Sequence, residues 1–183
     1  MNAVTKADLA VLDFIQEHIR VGFLDPFMTV VTALGNSGIL WVALAAVLLI
    51  FKRSRKYGLM VAVALILGVL ICNVTLKPLV ARIRPFELVE SVKLLITAPT
   101  DYSFPSGHTT SSFAAASALF FSGAKGRYAA LTLALLIAFS RLYVYVHYPT
   151  DVLAGMIIGI FCGWLSCRII GMVSDNLARK KPE

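Results

Sequence analysis

Long stretches without a single charge constrain this chain more than any other feature. No residue is charged from Pro26 to Phe51, from Tyr57 to Leu76, from Thr109 to Ser122 or from Val152 to Cys167. Tyr128 to Val146 is broken only by Arg141. A helix crossing the hydrocarbon core needs about 20 apolar residues, so these runs predict an all-α integral membrane protein. Composition agrees: 58% of the 183 residues are apolar and 15% charged. Soluble domains are about 45–50% apolar and about 25% charged. Five spans are expected, in one domain covering residues 1–183. Gly35-Asn36-Ser37-Gly38 interrupts the first run and marks where its buried part begins.

The N-terminal segment, residues 1–24, reads differently. Leu9, Leu12, Ile15 and Ile19 recur at helical spacing while Asp13, Glu17 and Arg20 fall on other faces, which suits a helix lying at the membrane interface. The alternative is a sixth span formed together with residues 21–34. No cleavable leader pattern is evident in the first twenty residues.

Charge sorts the connections. Lys52, Arg53, Arg55 and Lys56 fall in one, Lys125 and Arg127 in another, and Arg168, Arg179, Lys180 and Lys181 at the end: ten of the 17 basic residues on one side. Counted by the positive-inside rule, that side is cytoplasmic. The net charge of +7 therefore reads as membrane orientation, and no nucleic-acid partner is expected. Cys72, Cys162 and Cys167 lie in or beside apolar runs without metal or disulfide spacing and read as small buried hydrophobes. Gly155, Gly159 and Gly163 make a ridge of small residues on one face of the last span, either a homodimer face or a packing surface inside the bundle.

The opposite side holds charges that orientation does not explain. They fall in three clusters: Lys77 to Pro85, Ser103 to Thr109, and Ser140-Arg141 followed by His147 and Asp151. Lys77, Arg84 and Arg141 offer three cations, and a guanidinium grips phosphate oxygens through two parallel hydrogen bonds. Pro105-Ser106-Gly107 reads as a helix start, where free amides and the positive dipole end favour an anion. His108 and His147 add a proton donor and a nucleophile, and Asp151, four residues after His147, is placed to hold its Nδ1. Arg141 inside a span costs about 2.5–3.5 kcal/mol on insertion scales, a cost that points to a partner. Lys77 and Arg84 lie seven residues apart, about 10.5 Å of rise on an unbroken helix, and converge on one anion only where the chain bends, as Pro78 and Pro85 allow. Arg82 is left unplaced by these spacings and reads best as a charge facing lipid headgroups. Leu94, Leu95 and Ile96, in the loop before the second cluster, either dip into the interface or simply pack.

In this order, K-x6-R-P over 77–85, P-S-G-H over 105–108 and S-R-x5-H-x3-D over 140–151 resemble the three-part signature of the type-2 phosphatidic acid phosphatase superfamily. That superfamily includes lipid phosphatases, vanadium-dependent haloperoxidases and glucose 6-phosphatases. The resemblance implies that His147 attacks phosphorus to give a phosphohistidine, oriented by Asp151, and that His108 protonates the leaving oxygen. It implies that Lys77, Arg84, Ser106, Gly107 and Arg141 hold the phosphoryl oxygens, without metal or cofactor. It further implies a bacterial lipid phosphate phosphatase in the inner membrane, its site at the extracytoplasmic helix ends. Gly107 resembles the branch acting on phosphatidylglycerophosphate and phosphatidate, because relatives acting on undecaprenyl diphosphate often carry Asp there. Undecaprenyl diphosphate recycling is the alternative. The apolar spans argue against a soluble haloperoxidase, and a transporter or scaffold has no need of two histidines and an aspartate in this order.

Overall fold

Fifteen uncharged residues carrying Ala114, Ala115, Ala116 and Ala118 make the helix at the centre of the molecule, α7 (Gly107–Phe121). The computed structural model describes residues 3–89 and 92–179, and every element among them is helical. The other helices are α1 (Ala3–Phe14), α2 (Asp25–Leu34), α3 (Ile39–Ile50), α4 (Arg55–Gly68), the single turns α5 (Lys77–Val80) and α6 (Pro85–Leu88), α8 (Arg127–Tyr143) and α9 (Pro149–Arg179). Lys180 and Lys181, which entered the charge pattern, lie outside the described residues.

Small side chains let neighbours approach α7 closely, and α4, α8 and α9 all pack on it. The glycine ridge of α9 meets it directly. A Cβ on Gly159 would stand 2.7 Å from Phe113 Cβ, and one on Gly163 2.6 Å from Ser117 Cβ. The ridge therefore serves packing inside the bundle, and the homodimer reading of that face is corrected: α7 occupies it. Trp41 of α3 is buried and donates to Ser112 Oγ of α7 at 3.0 Å, satisfying both polar groups.

Outward, the bundle is apolar. Ile39, Ile50, Ile66, Val74, Ile157 and Trp164 are all exposed, a surface that water would penalise and lipid tails accept. Two segments, Arg55–Leu88 and Pro149–Asn176, are long and apolar enough to cross a membrane. The pair α2 and α3, bent by 44° at residue 35, makes a third if taken as one span. With 15 and 17 residues, α7 and α8 fall short of the about 20 of a typical crossing. The protein is thus a multi-pass, all-helical membrane protein.

Three breaks shape one end of the bundle. At 35–38 the chain leaves helical geometry, with Ser37 at φ +51° and Gly38 at φ +64°. At Val69–Leu76 the fourth helix widens into π-helical turns, a distortion common at functional sites. At Ala81, φ +45° ends α5 three residues after Pro78, and the chain stays outside helical structure as far as Arg84, which is extended. This is the bend that Lys77 and Arg84 required. The N-terminal segment forms α1 and a π turn, Ile15–Ile19, packed by Leu9 and Leu12 against Tyr145 and Tyr148 of the α8–α9 turn. In the loop after α6, Leu94, Leu95 and Ile96 pack onto the cluster around Tyr143, Val144 and Val146, which is the packing alternative.

Candidate active site

Each of the three breaks delivers side chains into one cavity of about 730 Å³. Lys77 and Arg84 enter from either side of the Ala81 bend, His108 and Gly107 from the first turn of α7, Arg141 from the last turn of α8, and His147 from the turn that follows. Lys77, Arg84, Arg141 and His147 are all buried. Three like charges under little water repel one another, and such a cluster persists where an anion is expected. Arg141 gives the sharpest sign: Nη1 donates to Thr32 Oγ1 at 2.5 Å, while Nε has no hydrogen-bond partner among the described residues. A buried guanidinium donor left open is costly unless something outside the chain takes it.

The histidine geometry fixes proton positions. Arg84 Nη1 lies 3.3 Å from His147 Nε2. Because arginine only donates, Nε2 carries the lone pair and the ring proton sits on Nδ1. That Nδ1 faces Asp151 Oδ2 at 3.5 Å. Asp151 itself is wholly buried and held by others: Arg82 Nη1 donates to Oδ1 at 2.6 Å, and Ser103 Oγ and the Tyr148 amide donate to Oδ2. Burial pushes the His147 imidazole down, Asp151 opposes it, and the charges of Arg84 and Arg141 add to the fall, leaving about 3. His147 is therefore neutral around pH 7, with its nucleophilic lone pair directed toward the cations.

A neutral imidazole and a second histidine thus stand around three buried cations, an arrangement suited to an anion such as a phosphate. Residues 56–175 match the model of the PAP2 superfamily. The chain belongs to the PAP2 superfamily. It is 34% identical over 151 residues to an undecaprenyl-diphosphatase of Sulfolobus acidocaldarius, covering 82% of this chain and 72% of that one. It is 31% identical over 179 residues to a lipid A 4'-phosphatase of Bacteroides thetaiotaomicron, covering 90% and 77%. Among solved structures it resembles LpxE of Aquifex aeolicus, with TM-score 0.75, 32% identity, and 87% of this chain and 94% of that one covered. It also resembles a PAP2-type phosphatidylglycerolphosphate phosphatase of Bacillus subtilis, with TM-score 0.76, 27% identity and coverage of 99% and 90%. As a PAP2 chain with phosphatase relatives, this protein is an enzyme of lipid phosphate hydrolysis.

In this PAP2 chain, Lys77, Arg84, Gly107, His108, Arg141 and His147 line the cavity. Ser106 is placed behind it, fully buried as the N-cap of α7. Its Oγ accepts from Thr109 Oγ1 at 2.9 Å and its amide donates to the Asp151 carbonyl at 3.1 Å. The cap leaves the first-turn amides of Gly107 and His108 without intrahelical acceptors. Asp101 lies across the cations: Lys77 Nζ donates to Oδ2, and Arg84 Nη2 donates to Oδ1 at 2.6 Å. Burial alone would raise the Asp101 carboxyl, but Lys77 and Arg84 prevail and hold it at about 2.

Sequence reasoning missed four contributors. Asn36 Oδ1 accepts from His108 Nε2 at 2.9 Å, and Thr32 receives Arg141. The glycine beside Asn36 is required, since a Cβ on Gly35 would come within 2.7 Å of the His108 ring. The interruption at 35–38, read only as a boundary of burial, was the signal for both. Asp8 and Arg82 are the other two. Arg82 corrects the expectation of a charge facing lipid headgroups: it lies over the Tyr148 ring at 3.8 Å and bridges Asp8 and Asp151. Two carboxylates inside the fold attract it more strongly than a headgroup layer with no fixed partner.

Proposed function

We propose that this enzyme hydrolyses a lipid phosphate monoester of the phosphatidylglycerophosphate or phosphatidate type through a phosphohistidine. The neutral, cation-facing Nε2 of His147 carries this reading. His147 Nε2 forms a bond to phosphorus as the bond to the leaving oxygen breaks, and His108 gives that oxygen its proton. Asp151 stabilises the positive charge that grows on the His147 ring. Water, losing a proton to His108, then displaces His147 and releases phosphate. Lys77, Arg84, Arg141 and the amides at the start of α7 take up the developing charge on the equatorial oxygens. Ser106 acts by presenting those amides. Among the described residues no group of three or more His, Cys, Asp or Glu side chains gathers as a metal site, and in this reading the cations do a metal's work.

The leaving group's surroundings favour a monoester. Around His108 the cavity is lined by Asn36, Ser37, Asn73 and Ser111, neutral groups suited to an alcohol, while Val42, Leu65 and Val69 supply an apolar wall for a chain. A second reading, undecaprenyl diphosphate, is favoured by the undecaprenyl-diphosphatases among the relatives. The site opens at the end away from Lys52, Arg53, Lys125 and Arg127, so we place it on the extracytoplasmic face of the inner membrane with five helical spans and α1 at the interface.

The test is phosphate release by the detergent-purified enzyme, in EDTA, from phosphatidate, phosphatidylglycerophosphate and undecaprenyl diphosphate. Turnover of the monoesters is expected, lowered by about four orders of magnitude in His147→Ala. Exclusive turnover of the diphosphate overturns the monoester reading, and activity in His147→Ala overturns the phosphohistidine.

A further inference from the structure

The family match begins at residue 56, yet the carboxylate behind the nucleophile is tied to residue 8. Arg82 spans the gap. Its Nη2 donates to Asp8 Oδ2 at 2.7 Å, and its Nη1 donates to Asp151 Oδ1 at 2.6 Å and Thr150 Oγ1 at 2.7 Å. Asp8 is buried in α1 and also accepts from the Thr150 amide at 3.1 Å and hydroxyl at 2.5 Å, one residue before Asp151. Further along the same segment, Tyr145 Oη donates to Asp13 at 2.8 Å and Gln16 Nε2 donates to the Tyr143 carbonyl at 2.9 Å. The N-terminal segment thus grips the turn bearing His147 on both sides.

Charge makes the arrangement specific. A lone buried carboxylate next to a cation-rich site would be drawn toward Arg84 and Arg141, away from Nδ1 of His147. Arg82 offers Asp151 a fixed partner on its far oxygen, and Asp8 neutralises the remaining charge of Arg82 so that it does not compete with His147. From this geometry we infer that Asp8 and Arg82 are positioning residues for phosphoryl transfer, with α1 an integral part of the active site. They touch no substrate and act only through Asp151.

The inference rests on His147 being the nucleophile, so His147→Ala is run beside the other variants with the best lipid substrate. Asp8→Asn keeps an oxygen for Thr150 and removes the charge. It is expected to lower kcat about tenfold and leave KM within about twofold, because the phosphate-holding cations are untouched. Arg82→Met is expected to lower kcat about a hundredfold with the same KM, and Arg82→Lys, which cannot bridge both carboxylates, serves if the methionine variant does not fold. The double variant Asp8→Asn/Arg82→Met is expected to be no worse than Arg82→Met, since Asn keeps an acceptor for Thr150 and the charge it removes acts through Arg82. Wild-type kcat in folded Asp8→Asn, a loss confined to KM, or multiplying losses in the double variant would each overturn the relay. Activity surviving in His147→Ala instead strikes the phosphohistidine reading.

Discussion

Two carboxylates serve this site from opposite walls, and their surroundings differ in kind. Asp151, on the turn into α9, is wholly enclosed and receives Arg82, Ser103 and the Tyr148 amide. Asp101, on the loop before α7, has a side chain 53% exposed, and its carboxylate meets the cations Lys77 and Arg84 that line the cavity. The first is fixed by groups that do not line the cavity. The second sits on groups that a phosphate would claim with more oxygens and more charge. Position relative to the cations therefore separates a permanent orienter from an exchangeable occupant.

Breaking the first carboxylate is expected to give the largest effect. In the proposed mechanism Asp151→Asn keeps the shape and removes the charge that stabilises the His147 imidazolium, so kcat is expected to fall by about a thousandfold with little change in KM. Single-turnover and steady-state kinetics on the same preparation check this, and a KM effect alone would break the distinction. Asp101→Asn is expected to act in the opposite sense and more gently. With no competing carboxylate on Lys77 and Arg84, inorganic phosphate and vanadate are expected to inhibit about three- to tenfold more tightly while kcat stays within about threefold. Inhibition constants decide it: weaker inhibition in Asp101→Asn would make Asp101 a scaffold for the cations, no different in kind from Asp151.

The contrast also marks what was readable from sequence. Apolar runs disclosed the helices, and the ordered spacings from Lys77 to Asp151 disclosed the charged and histidine residues that line the cavity from Lys77 to His147, Asp101 excepted, because both are local patterns that survive without coordinates. Ser106 shows where such a pattern misleads: the position is right, but its hydroxyl caps α7 and its amide serves Asp151. Arg82, Asp8 and Asn36 lay beyond reach for another reason. Their partners are 69, 142 and 72 residues away, at contacts created by the bends at Ala81 and at 35–38. A charge whose meaning depends on a distant partner looks in sequence like any surface charge.

Acid stability gives the smallest effect and sharpens the comparison further, because the two walls fail in different pH windows. His147 is held at about 3 when folded and returns to about 6.5 when unfolded. The unfolded chain therefore binds the extra proton first, and stability is lost progressively as pH falls from about 6.5 to about 3. Asp101, held at about 2 against a usual 3.8, contributes stability that is intact above about 4 and is lost only as pH falls toward 2. Between pH 6.5 and 4 the decline thus comes from the buried histidines, His147 among them, and not from Asp101. The unfolding midpoint of the wild type is expected to drop by about 10 °C over that interval, and His147→Gln to remove a clear part of that slope while Asp101→Asn leaves it. Equal slopes in wild type and His147→Gln would mean that the imidazole is not held neutral by the fold. The lone pair facing Arg84 would then need to be created by substrate rather than being present beforehand.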